Sequence, residues 1–105
     1  MRELIVAPQA RRDVVAQAAY YRDQGTPETA RRWFARIEEA FNFVSANPGS
    51  GVEVYPGLRA LRVDKFKQHL VVYRTTPDTV EVVRVVHGAA DLDAALAPWG
   101  DGPGD

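Results

Sequence analysis

The segment "VEVVRVVHG", Val80 to Gly88, constrains the fold more than any other. Five valines in seven residues are β-branched and read as a strand. Strict alternation puts Val80, Val82 and Val86 on one face, with Arg84 among them, and Val83 and Val85 on the other. A strand apolar on both sides needs cover on both sides. Any architecture for this chain must therefore supply two layers of cover for one central strand, and must find a place for Arg84. His87-Gly88 ends the run and releases the C-terminal segment.

The first layer is visible upstream. "ELIVA" is a short strand candidate, and Pro8 opens a helix that the spacing extends to about Gln24, with Ala10, Val14, Ala18 and Tyr21 as its apolar stripe. Gly25 suits its end. Thr26-Pro27-Glu28 then reads as an N-cap, a first-turn proline and a first-turn acid. The second helix carries a stripe of Ala30, Trp33, Phe34, Ile37, Phe41 and Val44, which assigns Trp33 and Phe34 to the core. Arg32 and Arg36 are a like-charge pair, so helical salt bridges do not account for its cations. The short stop between the helices implies an antiparallel hairpin. "NPGSG" at Asn47–Gly51 ends the second helix and opens a loop to Pro56-Gly57. Strands follow at about Leu58–Asp64, His69–Thr75 and Thr79–Val86, the last two joined by a turn at Thr76–Asp78.

The expected fold is thus α+β: two layers, β-α-α-β-β-β, with a helix hairpin on a mainly antiparallel sheet and a short C-terminal helix near Ala90–Leu96. The hairpin covers one face only. The other face falls to the C-terminal helix or to a second chain. Residues 1–97 form one domain, and residues 98–105, "PWGDGPGD", read as a flexible Pro/Gly-rich acidic tail. At 105 residues there is room for one core and not for two.

Composition narrows the chemistry. There is no Cys, hence no disulfide, thiolate nucleophile or cysteine metal site, and the two histidines form no metal-spaced cluster. Neither a metal nor a cofactor is expected. No apolar run reaches membrane-spanning length, and "MRELIVAPQARRD" is too weakly apolar for a signal peptide, so the expected location is the cytoplasm. The net charge of −1 hides an asymmetry. Four of the 14 acids lie from Asp91 onward and none of the 13 bases does. Between Leu58 and Arg74, Arg59, Arg62, Lys65, Lys67 and Arg74 stand against Asp64 alone. This is either a binding patch or a solvated strand edge whose lysines discourage aggregation. Tyr20 and Trp99 lie off the apolar stripes and are candidate partner contacts.

Taken together, "ARRDV" opening the first helix, "GTPETA", "NPGSG", "GLRALRV", "HLVVYR" and above all "VEVVRVVHGAADL" resemble the RelE/ParE superfamily of toxins from type II toxin–antitoxin modules, and its ParE branch in particular. The resemblance runs from about Leu4 to Leu96. It implies a growth-inhibiting protein neutralised by a cognate ParD-like antitoxin in a hetero-oligomer. It also implies a first strand lying beside the last. RelE-like members cut mRNA in the ribosome; ParE-like members are inhibitors of DNA gyrase without cleavage chemistry. RelE-like chains carry an Arg just before the central-strand Tyr, and an Arg and a Tyr near the C-terminus. Here Leu70, Val71 and Val72 precede Tyr73, and no Arg, Lys or Tyr follows Val86. RNA cleavage through a 2′-hydroxyl needs a base, an acid and a phosphate-holding cation close together. The expectation is a non-enzymatic toxin directed at DNA gyrase, without sequence-specific nucleic-acid binding; the alternative is a ribosome-dependent endoribonuclease. Candidate target- or partner-binding residues are Arg59, Arg62, Lys65, Lys67, Arg74, Arg84 and His87. None is assigned a catalytic role.

Overall fold

The computed structural model describes the backbone of residues 2–100 and the side chains of all of these except 89, 90, 99 and 100. The elements are β1 (Glu3–Val6), α1 (Pro8–Gln24), α2 (Pro27–Ala46), β2 (Val52–Tyr55), β3 (Leu58–Val63), β4 (Phe66–Thr75), β5 (Thr79–His87) and α3 (Gly88–Gly100). Five strands form one sheet in the order β1-β5-β4-β3-β2. β1 runs parallel to β5 and every other pair is antiparallel. The α+β architecture, the hairpin after the first strand and the C-terminal helix agree with the sequence reading. β2 does not: the stretch before Pro56 was expected to be loop, yet Val52–Tyr55 pairs with β3. Its four residues include an irregular step between Glu53 and Tyr55, so no regular alternation marks it.

The helix hairpin forms as its punctuation dictates. The Thr26 side chain accepts the Thr29 N–H at 3.2 Å, and the Gly25 N–H closes α1 onto the Tyr21 carbonyl at 2.9 Å. Trp33 is fully buried, and its Nε1–H donates to the Val14 carbonyl at 3.1 Å, pinning one helix to the other. Buried polar groups need such partners. Two details of the expected stripe change. Phe34 is 47% exposed, and its place inside is taken by Ala40. The helical cations do find carboxylates, Arg31 with Glu28 and Arg36 with Glu39, at a spacing of three residues; Arg36 also reaches Asp64.

The two faces of the valine strand resolve through a bulge. Val72 lies opposite Arg84 and Tyr73 opposite Val82, so β5 holds one extra residue there. A bulge shifts the inside-outside alternation by one. Val80, Val82 and Val85 therefore join the core under the hairpin, with Trp33, Val44, Val71 and Tyr73. Val83 and Val86 join a second core with Leu58, Ala60 and Val72. Straight alternation placed Val82, Arg84 and Val86 together, and the bulge separates Val82 from the other two. The second core is roofed by α3, through Ala95 and the half-buried Leu92 and Leu96. The second face thus has cover from the chain's own C-terminal helix. That helix starts at Gly88, whose φ of +79° lets the chain turn off the strand, and it carries Pro98 to its end at Gly100. Residues 101–105 of the expected tail, and the Trp99 side chain, lie outside the described residues. Among the described residues, no helix is long and apolar enough to cross a membrane.

Candidate functional site

β1 ends at Val6, opposite Val82, and the Ala7 N–H closes the ladder on the Val82 carbonyl at 2.9 Å. Beyond that point the edge of β5 has lost its neighbouring strand. Asp13, in the second turn of α1, takes over. Its Oδ2 accepts the Val85 N–H at 2.9 Å and the Arg84 Nε–H at 2.8 Å, while Oδ1 accepts Arg84 Nη2 at 3.3 Å and Gln9 Nε2 at 3.0 Å. The Asp13 side chain is 11% exposed and that of Arg84 33%. Arg84 thus lies where β5 has no neighbouring strand, and pairs there with a nearly buried carboxylate. That carboxylate in turn satisfies a backbone group left without a strand partner. Its mate sits on α1 and not on a neighbouring strand.

The pair forms one wall of a cleft of about 660 Å³ between α1, the end of β5 and α3, lined also by Tyr20, Trp33, His69, His87 and Asp91. His69 is 2% exposed. Its Nε2 lies 2.6 Å from the Tyr21 hydroxyl, the phenol and the imidazole sharing one hydrogen, and its ring packs on Trp33 at 4.5 Å and on His87 at 4.7 Å. Burial, with a smaller push from His87, brings its pKa down to about 4, so the ring is neutral at pH 7. Burial likewise raises the pKa of Tyr21. His87 is exposed, and its Nε2 stands 3.1 Å from Gln68 Oε1.

Of the seven residues singled out from sequence, Arg84 and His87 meet in this cleft. The others do not gather into one patch. Arg59 donates to the Gly51 carbonyl at 2.7 Å and to that of Gly49 at 3.4 Å. It shares this loop with the buried Tyr73, whose hydroxyl accepts the Gly51 N–H and donates to the Pro48 carbonyl. A Cβ at Gly51 would lie 2.7 Å from that hydroxyl and 2.9 Å from the Ala60 carbonyl, so the loop needs glycine there. Arg74 crosses to Glu81 at 2.7 Å. Arg62 donates to the Lys67 carbonyl at 2.8 Å. Lys65 takes the turn position with φ +68°, and Lys67 is exposed.

Asp13, Tyr21 and His69 escaped the sequence reading. One signal was available for His69: with Val71 and Tyr73 it occupies every second position of β4, which puts it on the hairpin face. Nothing local marks Asp13 as more than a helix-surface acid, since its partners on β5 are 71 and 72 residues away. Among the described residues, no group of three or more His, Asp or Glu side chains is placed to hold a metal ion.

Residues 4–92 match the family model described as the ParE toxin of the type II toxin–antitoxin system parDE. A solved structure titled "Chromosomal ParDE TA system from P. aeruginosa" superposes with a TM-score of 0.74 at 23% identity, covering 85% of this chain and 98% of that one. No curated protein matches in sequence. The structural likeness establishes a shared fold, and the family match spans nearly the whole described domain, so the chain belongs to the ParE toxin family of type II toxin–antitoxin systems.

Proposed function

We propose that this toxin arrests growth by binding DNA gyrase in the cytoplasm, that it does so without cleavage chemistry or cofactor, and that a cognate ParD-like antitoxin neutralises it in a hetero-oligomer. The observation that carries the reading is the state of the cleft. Its guanidinium, Arg84, already makes two bonds to Asp13. Its buried imidazole, His69, is held neutral and bonded to Tyr21. Phosphoryl chemistry on RNA asks for a cation turned toward the phosphate beside a base that can take a proton. A cleft whose cation and buried imidazole are both engaged internally favours recognition over catalysis. Of the basic stretch, Arg62, Lys65 and Lys67 are exposed and suit a role in association rate and specificity, whereas Arg59 and Arg74 hold the fold.

The test is DNA supercoiling by purified gyrase with and without this protein, beside cleavage of mRNA on programmed ribosomes. Inhibition of supercoiling with intact mRNA is the expected outcome. Defined mRNA cuts that disappear with His87→Ala would replace this reading with the endoribonuclease one.

A further inference from the structure

α2 carries a second stripe beside the one it buries. Trp33, Ile37, Ala40 and Val44 go into the core. Next to them, Arg31, Phe34, Glu38 and Phe41 follow one another at steps of three, four and three residues, the spacing of a helix–helix seam. Phe34 is 47% exposed, Phe41 is half-buried, and Arg31 and Glu38 are exposed. Along this flank a trough of about 480 Å³ runs between α2 and Leu4 of β1, lined also by Phe34, Ala35, Ile37 and Phe41. An aromatic ring standing half in water beside an apolar trough is a surface shaped for a partner.

An extended segment suits this flank poorly. β1 has four residues, and α2 closes the chain just before it: the Arg2 N–H donates to the Ser45 carbonyl, and the Ser45 hydroxyl donates to the Arg2 carbonyl. Little open edge is left for an added strand. A helix fits the trough, and the flank is complementary to itself. It offers a ring, Phe34, and a trough that can take one. It also offers a base and an acid. Glu38 has no cation partner among the described residues, and Arg31 meets the exposed Glu28 through one nitrogen, Nη2. A two-fold interface requires a patch that fits a copy of itself.

We propose that this flank is the interface of a homodimer, in which two copies pack α2 against α2 in antiparallel fashion. A two-fold axis passes near Arg36 of each helix. Phe34 of one copy is then level with Glu38 of the other, and Arg31 with Phe41. Each Phe34 enters the other copy's trough. Each Arg31 is three residues, about 4.5 Å along the axis, from the second copy's Glu38, which a long side chain spans. The symmetry makes this ion pair twice. An axis at Glu38 would instead set the two Glu38 carboxylates against each other, which like charge disfavours. None of Arg31, Phe34, Glu38 and Phe41 lines the cleft of Arg84 and His87, so the dimer leaves that cleft open. The inference does not depend on gyrase as the target.

The test is sedimentation equilibrium of the full chain, free of antitoxin, over a range of concentrations. Phe34→Glu, Glu38→Arg and the double reversal Arg31→Glu/Glu38→Arg are compared with the parent. All three positions are exposed, and melts at a concentration where the parent is monomeric show that each variant folds. The expected mass rises from one chain toward two as concentration rises. Phe34→Glu and Glu38→Arg should each weaken the dimer about tenfold or more, and the double reversal should recover to within about threefold of the parent. Recovery separates a contact between copies from a role inside one helix. A parent that stays a single chain at every concentration would overturn the proposal, and so would a dimer indifferent to Phe34→Glu. A double reversal that recovers nothing would remove the Arg31–Glu38 contact and the proposed packing with it. If the free chain is monomeric and amides of residues 31–41 gain protection only when antitoxin is added, the flank belongs to that partner and the homodimer is refuted.

Discussion

The two faces of one sheet solve the burial problem differently. Under the hairpin, Trp33, Val44, Val71, Tyr73, Val80 and Val82 are all fully buried, and two long helices carry the roof. Under α3, Leu58 and Val72 are nearly sealed, but Leu92 and Leu96 are half-buried and Val52 stands in the open. One face resembles a finished protein interior and the other a partly roofed surface. Burial of apolar area contributes stability roughly in proportion to its extent. The hairpin face therefore dominates the folding free energy, and the α3 face can exchange some cover for access by a partner.

The strongest way to break this comparison is to hollow the hairpin face. Trp33→Ala removes the largest fully buried side chain together with its bond to the Val14 carbonyl. It should cost about 3–5 kcal/mol, a large part of the stability of a domain this size. Denaturant melts would read it. A loss under about 1 kcal/mol would mean that the two faces weigh alike.

Next in size is a pH effect centred on His69, also on the hairpin side. Its pKa is about 4 in the folded chain against 6.5 for an ordinary imidazole. The unfolded chain thus binds the extra proton first as pH falls. The neutral ring's contribution is complete above about pH 6.5, declines between 6.5 and 4, and levels off below. The upper bound is about 3.5 kcal/mol, from roughly 1.4 kcal/mol per pH unit. His69→Gln should flatten the stability profile over that window, and an unchanged slope would remove His69 as its source.

Asp13→Ala tests the seam between the faces. It leaves the Val85 N–H and the Arg84 guanidinium without their acceptor, at a cost of about 1–3 kcal/mol. Because Arg84 is one-third exposed, water offsets part of the lost pairing. The double variant Asp13→Ala/Arg84→Ala should lose less than the two single losses added, which a double-mutant cycle measures.

How much of this was legible in the sequence follows the range of the interactions. The hairpin was readable because caps and apolar stripes are local: Thr26, Pro27 and the Ala10–Val14–Ala18 spacing fix it within a few residues. The need for cover on both faces of β5 was readable from the alternating positions of its valines. The bulge was not, since an extra residue in β5 exists only relative to β4, and it changed the neighbours of Arg84. Phe34 misled because its helical phase fits the stripe, yet the sheet leaves it 47% exposed. Arg59 and Arg74 looked like patch residues because their acceptors, the Gly51 carbonyl and Glu81, are brought close only by the folded chain.

The smallest effect is expected at the open edge, and it sharpens the comparison most. Val52 is 72% exposed, so Val52→Thr removes little buried area and keeps a β-branched residue suited to an edge strand. Its stability should stay within about 0.5 kcal/mol of the parent. A comparable cut inside the hairpin face, Val71→Thr, places a hydroxyl in a fully buried site and should cost about 1–3 kcal/mol. The same chemical change thus separates the two faces by its size. If both substitutions cost the same in denaturant melts, exposure at β2 is lost in solution, and the α3 face is as closed as the one beneath the hairpin. If only Val71→Thr is costly, selection for folding leaves position 52 nearly free, and an apolar residue kept there serves something other than stability.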